Sequence, residues 1–272
     1  MLTAAELKQV LQANSLRLTK RLGQNHLIDP RVIQRVIEAC GLTGDETVVE
    51  IGAGLGALTE PLAGRCRHVI AIEVDRKISA LLAERMAPHR NVRVLHQDIL
   101  EFSWEAHPGA TVVGAIPYHI TSPIIAALCD QRAQVARALL IVQEEVAERL
   151  AAKPATSAYG RLSVLAQYSW AVTVRCRLPR SAFFPQPNVD SALVELSPHP
   201  APFAAADEAF FFAVVKAAFS QRRKTLLNGL AELPGTDRAA AEAAVAALGL
   251  PRAVRGETLS LEQFIGLADR LR

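Results

Sequence analysis

Between residues 47 and 151 the chain alternates short apolar runs with stretches whose apolar residues recur every three to four positions. The runs at 47–51, 68–73, 92–96, 111–116 and 138–142 are rich in Val and Ile, as expected of strands buried on both faces. The stretches at 58–65, 76–86, 123–130 and 144–151 carry helical periodicity, and Pro123 stands in a first turn, where a helix tolerates proline. Strand and helix in alternation predict a parallel sheet of the doubly wound kind, covered by helices. A polar loop at 153–160 and a helix at 161–169 follow. Two more strand-like runs, 172–178 and 191–196, flank a proline-rich loop at 179–187 and bring the expected strands to seven. The texture changes at Pro198-His199-Pro200-Ala201-Pro202, a linker. Beyond it come Ala-rich amphipathic helices at 207–220, 222–231, 237–248 and 261–271, with no strand. The expectation is an α/β domain over 1–198 and a small all-α domain over 199–272.

Composition limits the possibilities. The 272 residues are half hydrophobic and 21% charged, enough for a full buried core. No apolar run reaches the ~18–20 residues of a membrane span. The first residues mix Glu6 and Lys8 with Leu and Ala, unlike a signal peptide, so a cytoplasmic protein without a membrane partner is expected. The four cysteines are scattered, without CxxC spacing, and read as reduced thiols; no metal site is expected. A net charge of +3 says little about nucleic acid, but its distribution says more. Arg17, Lys20 and Arg21 cluster near the start. Lys216, Arg222, Arg223 and Lys224 cluster beside Phe219 and Leu226, as on a helix with one basic and one apolar side. Nothing calls for an oligomer, so a monomer is expected.

Candidate chemistry begins at Glu50-Ile51-Gly52-Ala53-Gly54-Leu55-Gly56, after the first strand. Glycines in such a turn let the backbone approach a ligand closely. Their spacing differs from the G-x-G-x-x-G of dinucleotide binders, the third glycine coming one residue early. Glu73 ends the second strand, where a carboxylate can accept from ribose hydroxyls of either NAD or S-adenosylmethionine. Asp98 ends the third, where a carboxylate can accept from an adenine amino group. Three features at three successive strand ends favour S-adenosylmethionine over a nicotinamide cofactor. The seven strands then read as a Rossmann-like class I methyltransferase sheet.

The fourth strand runs into Gly114-Ala115-Ile116-Pro117-Tyr118-His119. Adenine N6 is a poor nucleophile, its lone pair delocalised into the ring. Carbonyls of a proline-stiffened loop can accept its hydrogens and favour the geometry of attack, and the Tyr118 ring can stack on an extruded base.

Taken with Arg21-Leu22-Gly23-Gln24-Asn25-His26-Leu27, Phe183-Phe184-Pro185-Gln186-Pro187-Asn188-Val189-Asp190-Ser191 and Ala218-Phe219-Ser220-Gln221-Arg222-Arg223-Lys224-Thr225-Leu226, these motifs resemble the KsgA-type (RsmA) ribosomal RNA adenine dimethyltransferases. The Erm methylases are similar at a greater distance. The resemblance runs from about residue 17 to the end. It implies that Gln24, Asn25, Leu27, Gly54, Gly56 and Ala115 contact S-adenosylmethionine, that Gly52 approaches its methionine part, and that Glu73 and Asp98 hold ribose and adenine. It implies that Ala115, Ile116, Pro117 and Tyr118, with Phe183 or Phe184, hold the target adenine, and that Arg222, Arg223 and Lys224 support RNA binding or domain packing. The implied partner is the small ribosomal subunit: two adjacent adenosines near the 3′ end of its RNA each receive two methyl groups.

The chain departs from the family pattern twice. Ala115 stands where the family has Asn, which removes a side-chain acceptor from the pocket. One polar contact of that kind is worth ~2.7–4 kcal/mol of transition-state stabilisation in oxyanion-type sites, so a slower enzyme, or a ribosome-assembly factor that binds without turnover, is expected. His26 stands where Phe is usual and keeps a planar ring. A DNA adenine methylase would want Asp or Asn, then Pro-Pro and an aromatic, where this chain has Ala115-Ile116-Pro117-Tyr118.

Overall fold

The computed structural model describes residues 3–14, 16, 25–200, 203–220 and 225–272. The chain divides into two compact units, Met1–Ala147 with Val172–Pro198, and Glu148–Ala171 with His199–Arg272. The boundary expected at 198 is where the chain enters the second unit for good. Residues 148–171, expected with the sheet, group instead with the C-terminal helices.

In the first unit the elements are α1 (Ala4–Ala13), β1 (His26–Leu27), α2 (Pro30–Ala39), β2 (Thr47–Ile51), α3 (Thr59–Ala63), β3 (His68–Glu73), α4 (Arg76–Met86), β4 (Val92–His96), β5 (Ala110–Ala115), α5 (Thr121–Asp130), β6 (Val135–Gln143), the start of α6 (Glu144–Leu150), β7 (Ala171–Leu178, from its second residue), β8 (Phe183–Phe184) and β9 (Ser191–Ser197). Seven strands form one sheet in the order β4-β3-β2-β5-β6-β9-β7. Its centre is apolar on both faces: Val48, Val49, Val69, Ala71, Val112, Val113, Leu139 and Leu140 are all buried, as parallel strands under two helical layers require. β4 to β6 pair in parallel, but β9 lies antiparallel to β6, so the sheet is mixed and not wholly parallel. The return from β7 to β9 contains no helical crossover, which a parallel neighbour needs. Helix starts are fixed locally. Asp75 accepts the N–H groups of Lys77 and Ile78 to begin α4, and Asp29 does the same for α2, with Pro30 in its first turn.

The second unit is helical. It takes in the end of α6 and contains α7 (Arg161–Ser169), α8 (Glu208–Ala218), α9 (Leu226–Leu230), α10 (Arg238–Ala247) and α11 (Leu261–Leu271). Phe211, Leu226, Leu230, Phe264 and Leu267 fill its core. Tyr168 of α7 stacks on Phe211 with ring centres 4.5 Å apart, which ties α7 into this unit. The helix expected at 222–231 is seen as α9; residues 221–224 lie outside the described residues. Among the described residues no helix is long and apolar enough to cross a membrane.

Candidate active site

The carboxyl ends of β2, β3, β4 and β5 open onto one cavity of about 250 Å³. It sits where the strand order reverses: the chain leaves β2 for β3 and β4, then returns to β5 on the other side of β2. Such a switch point leaves a crevice between oppositely directed connections.

The glycine turn forms one wall. Gly52 has φ +68°, and a Cβ there would stand 3.1 Å from the Ala115 carbonyl oxygen. Gly54 lies against the His26 ring, whose Nδ1 would be 2.8 Å from an added Cβ. The turn is tied down by Glu73, whose Oε2 accepts the Gly54 N–H at 2.9 Å and whose Oε1 accepts the Asp75 N–H at 2.9 Å. Burial raises the Glu73 pKa against the pull of those two N–H groups. At the end of β4, Asp98 accepts the Leu100 N–H at 3.0 Å and opens a single turn, keeping its carboxylate at the cavity edge.

Glu50, inside β2, was not assigned a role from the sequence. Its side chain is 2% exposed and lines the cavity. Its Oε2 has no hydrogen-bond partner among the described residues. Burial, helped by the charge of Glu73, pushes its pKa up to about 8. The available signal was an acid inside the strand Thr47-Val48-Val49-Glu50-Ile51, whose neighbours on either side are apolar, since burying an ionised carboxyl is costly.

The opposite wall follows β5. The Ile116 N–H donates to the Ile141 carbonyl at 3.0 Å, and the Pro117 carbonyl accepts the Ile120 N–H at 3.1 Å, so the loop is held at both ends. Ala115, Ile116, Pro117 and Tyr118 all line the cavity. The Tyr118 hydroxyl lies 2.9 Å from Ser191 Oγ.

A two-stranded ribbon completes the site: β1 pairs antiparallel with β8, His26 opposite Phe184 and Leu27 opposite Phe183. Neighbours on a strand face opposite ways. Phe183 is buried and lines the cavity with Asn25, His26 and Leu27. Phe184 instead packs with Leu7, Leu11, Leu55 and Ile78, with the Lys8 ammonium 5.1 Å from its ring centre. His26 Nε2 is buried without a partner among the described residues, and burial lowers the ring's pKa to about 4.

Other expected positions stand apart from this cavity or beyond view. Gly56 (φ +89°) faces α4, where an added Cβ would meet Leu82 Cδ1 at 2.9 Å; it serves helix packing and does not line the cavity. Gln24 lies outside the described residues, as do Arg222, Arg223 and Lys224.

The family model described as ribosomal RNA adenine dimethylase matches residues 15–271. Ribosomal RNA small subunit methyltransferase A of Geobacillus thermodenitrificans (strain NG80-2) is 41% identical over 282 residues, spanning 99% of this chain and 96% of the relative. The protein of the same name from Bacillus mycoides (strain KBAB4) is 40% identical over 97% of this chain and 94% of its own. Among solved structures, a dimethyladenosine transferase from Plasmodium falciparum is 27% identical and aligns with a TM-score of 0.76 over 89% of this chain and 95% of its own. The 23S rRNA methyltransferase ErmE is 29% identical and aligns at 0.68 over 91% and 99%.

Proposed function

This chain belongs to the ribosomal RNA adenine dimethylase family, and from that premise we propose that it methylates N6 of two adjacent adenosines near the 3′ end of small-subunit ribosomal RNA, giving N6,N6-dimethyladenosine. The methyl donor is S-adenosylmethionine and the partner is the immature small ribosomal subunit, met in the cytoplasm by a monomer. The observation that carries this reading is one cavity at a switch point with carboxylates on one side and two aromatic rings, Tyr118 and Phe183, on its lining.

The residues fit the donor. Gly52 leaves room beside the Ala115 carbonyl that any side chain would fill. The orphaned Glu50 Oε2 offers an acceptor to an ammonium group. Glu73 has a second lone pair on each oxygen for ribose hydroxyls, and Asp98 can accept from an adenine amino group. Asn25 and Leu27 close the same space from β1 and the residue before it. Bound there, S-adenosylmethionine supplies a methyl group already activated on sulfur. The protein's own work is mostly positioning. Tyr118 and Phe183 stack the extruded base, and carbonyls of the 115–118 loop accept from N6 and stabilise its developing positive charge. The proton lost from N6 passes to water. Arg222, Arg223 and Lys224 supply phosphate contacts, which position RNA without reading its sequence.

Ala115 gives this loop no side-chain acceptor, so transfer is slow relative to a chain with asparagine there. The experiment is transfer of labelled methyl groups to small subunits that lack the modification, by this chain and by Ala115→Asn. Dimethyladenosine from both, faster for the variant by about 100- to 1000-fold, is the expected result. Label from the variant alone would make the natural chain a binding factor. No label from either, with S-adenosylhomocysteine still bound, would overturn the substrate assignment.

A further inference from the structure

Tyr118 follows β5 on the single turn Tyr118–Ile120, and its side chain is only partly buried. A ring so placed can swing about Cα–Cβ unless its tip is held. The tip is held by Ser191: hydroxyl to Oγ is 2.9 Å. Ser191 is 0% exposed and opens β9 opposite Gln143 of β6, so its own position is fixed by the sheet. The preceding residue closes a second tie. The Asp190 carboxylate accepts the Arg180 N–H at 2.9 Å, and the Asp190 carbonyl accepts the Glu144 N–H at 3.0 Å. Arg180 also donates from Nη1 to the Asn188 carbonyl at 3.1 Å. The segment 180–190 is thereby a closed loop, and it carries Phe183. Two successive residues, Asp190 and Ser191, thus fasten one aromatic loop and anchor the ring of the other.

We propose that Ser191 is a positioning residue for methyl transfer: its hydroxyl fixes the Tyr118 ring relative to Phe183 and so sets the gap that the target adenine enters. The inference rests on the adenine N6 reading above. Ser191 touches neither donor nor base; it acts through Tyr118. A neutral buried hydrogen bond is worth about 1 kcal/mol, and misplacement of a reacting group acts on turnover more than on donor binding.

The test compares the natural chain with Ser191→Ala, Tyr118→Phe, the double variant and Ser191→Thr, in methyl transfer to unmodified small subunits, with S-adenosylhomocysteine affinity measured alongside. The expected result is a three- to tenfold fall in kcat for each single variant, no further fall in the double, unchanged affinity, and recovery with Ser191→Thr, which restores the hydroxyl. Tyr118→Phe breaks the same bond from its open end, so the question stays answerable if Ser191→Ala folds poorly. Full kcat in Tyr118→Phe, or single losses that multiply in the double, would overturn the inference while the natural chain still methylates. Failure of the natural chain to methylate adenine would overturn the parent reading, and this one with it.

Discussion

Glu73 Oε2 accepts the Gly54 N–H at 2.9 Å, while its Oε1 takes the Asp75 N–H. A carboxylate proposed to hold a ribose is therefore also the brace of the glycine turn. Replacing it with glutamine keeps one acceptor and aims an amide NH₂ at the other N–H. Leaving one buried N–H unpaired costs about 1–3 kcal/mol. Glu73→Gln is expected to weaken S-adenosylhomocysteine binding by about 5- to 100-fold and to lower Tm, with Glu73→Ala worse on both counts. Calorimetric titration beside a thermal melt checks this; wild-type affinity in Glu73→Gln would refute it.

Glu50 should reveal itself through protons. Its folded pKa, about 8, lies above its ordinary value of 4.5. The folded chain then holds a proton that the unfolded chain has lost, and the stability this confers is complete below 4.5 and lost as pH rises through 8. An ammonium group beside Glu50 favours the ionised form. Binding of S-adenosylhomocysteine at pH 7 should therefore release protons, seen as a binding heat that changes with the ionisation heat of the buffer. Glu50→Gln should abolish that dependence and weaken binding. Equal heats in all buffers for the natural chain would rule out the pairing.

Gly52 and Gly56 have similar backbones and different neighbours. Alanine at either position bears a left-handed strain of about 1–2 kcal/mol. At 52 the new methyl points at the Ala115 carbonyl in the cavity; at 56 it points into α4. Both variants should melt earlier, but S-adenosylhomocysteine should raise the Tm of Gly56→Ala and leave Gly52→Ala unmoved. A ligand-induced rise in Gly52→Ala would disprove the difference.

The strands β2 to β6 and helices α4 and α5 were legible because their periodicities are local, and the carboxylates Glu73 and Asp98 because they fall at strand ends. Part of what was missed depends on partners far along the chain. β1 and β8 are two residues each and exist only because 26–27 meets 183–184; no period can show in two residues. That same ribbon puts Phe183, and not Phe184, on the cavity lining. The antiparallel run of β9 was hidden because an apolar strand reads alike in either direction. Two local signals were present and unused: the Thr3–Glu6 capping box of α1 and the Asp29-Pro30 start of α2. Glu50 was read as part of the glycine turn, although its place inside a buried strand set it apart.

His26 should leave a mark on stability against pH. Burial lowers its pKa from 6.5 to about 4. The unfolded chain then binds the extra proton, so this group's contribution is complete above 6.5 and lost as pH falls toward 4, at most about 3 kcal/mol in all. His26→Phe removes the titration and keeps the ring against Gly54. Urea unfolding at pH 7.5 and pH 5 should show a steeper loss for the natural chain than for the variant; parallel losses would exclude a buried neutral His26.

On the proposed reading, the ribbon of β1 and β8 joins the two halves of the reaction. Residues 25–27, proposed to contact the donor, and Phe183, proposed to stack on the base, line the same cavity. Among the described residues neither short strand pairs with any strand but the other. On the proposed reading, a donor that favours this pairing also favours the acceptor's side, and by reciprocity a base against Phe183 would tighten the hold on the donor by the same factor. On that reading the two substrates would be coupled by the backbone before they touch. A second round of methylation, on a base that is still in place, would begin with a protein already disposed to take up fresh donor.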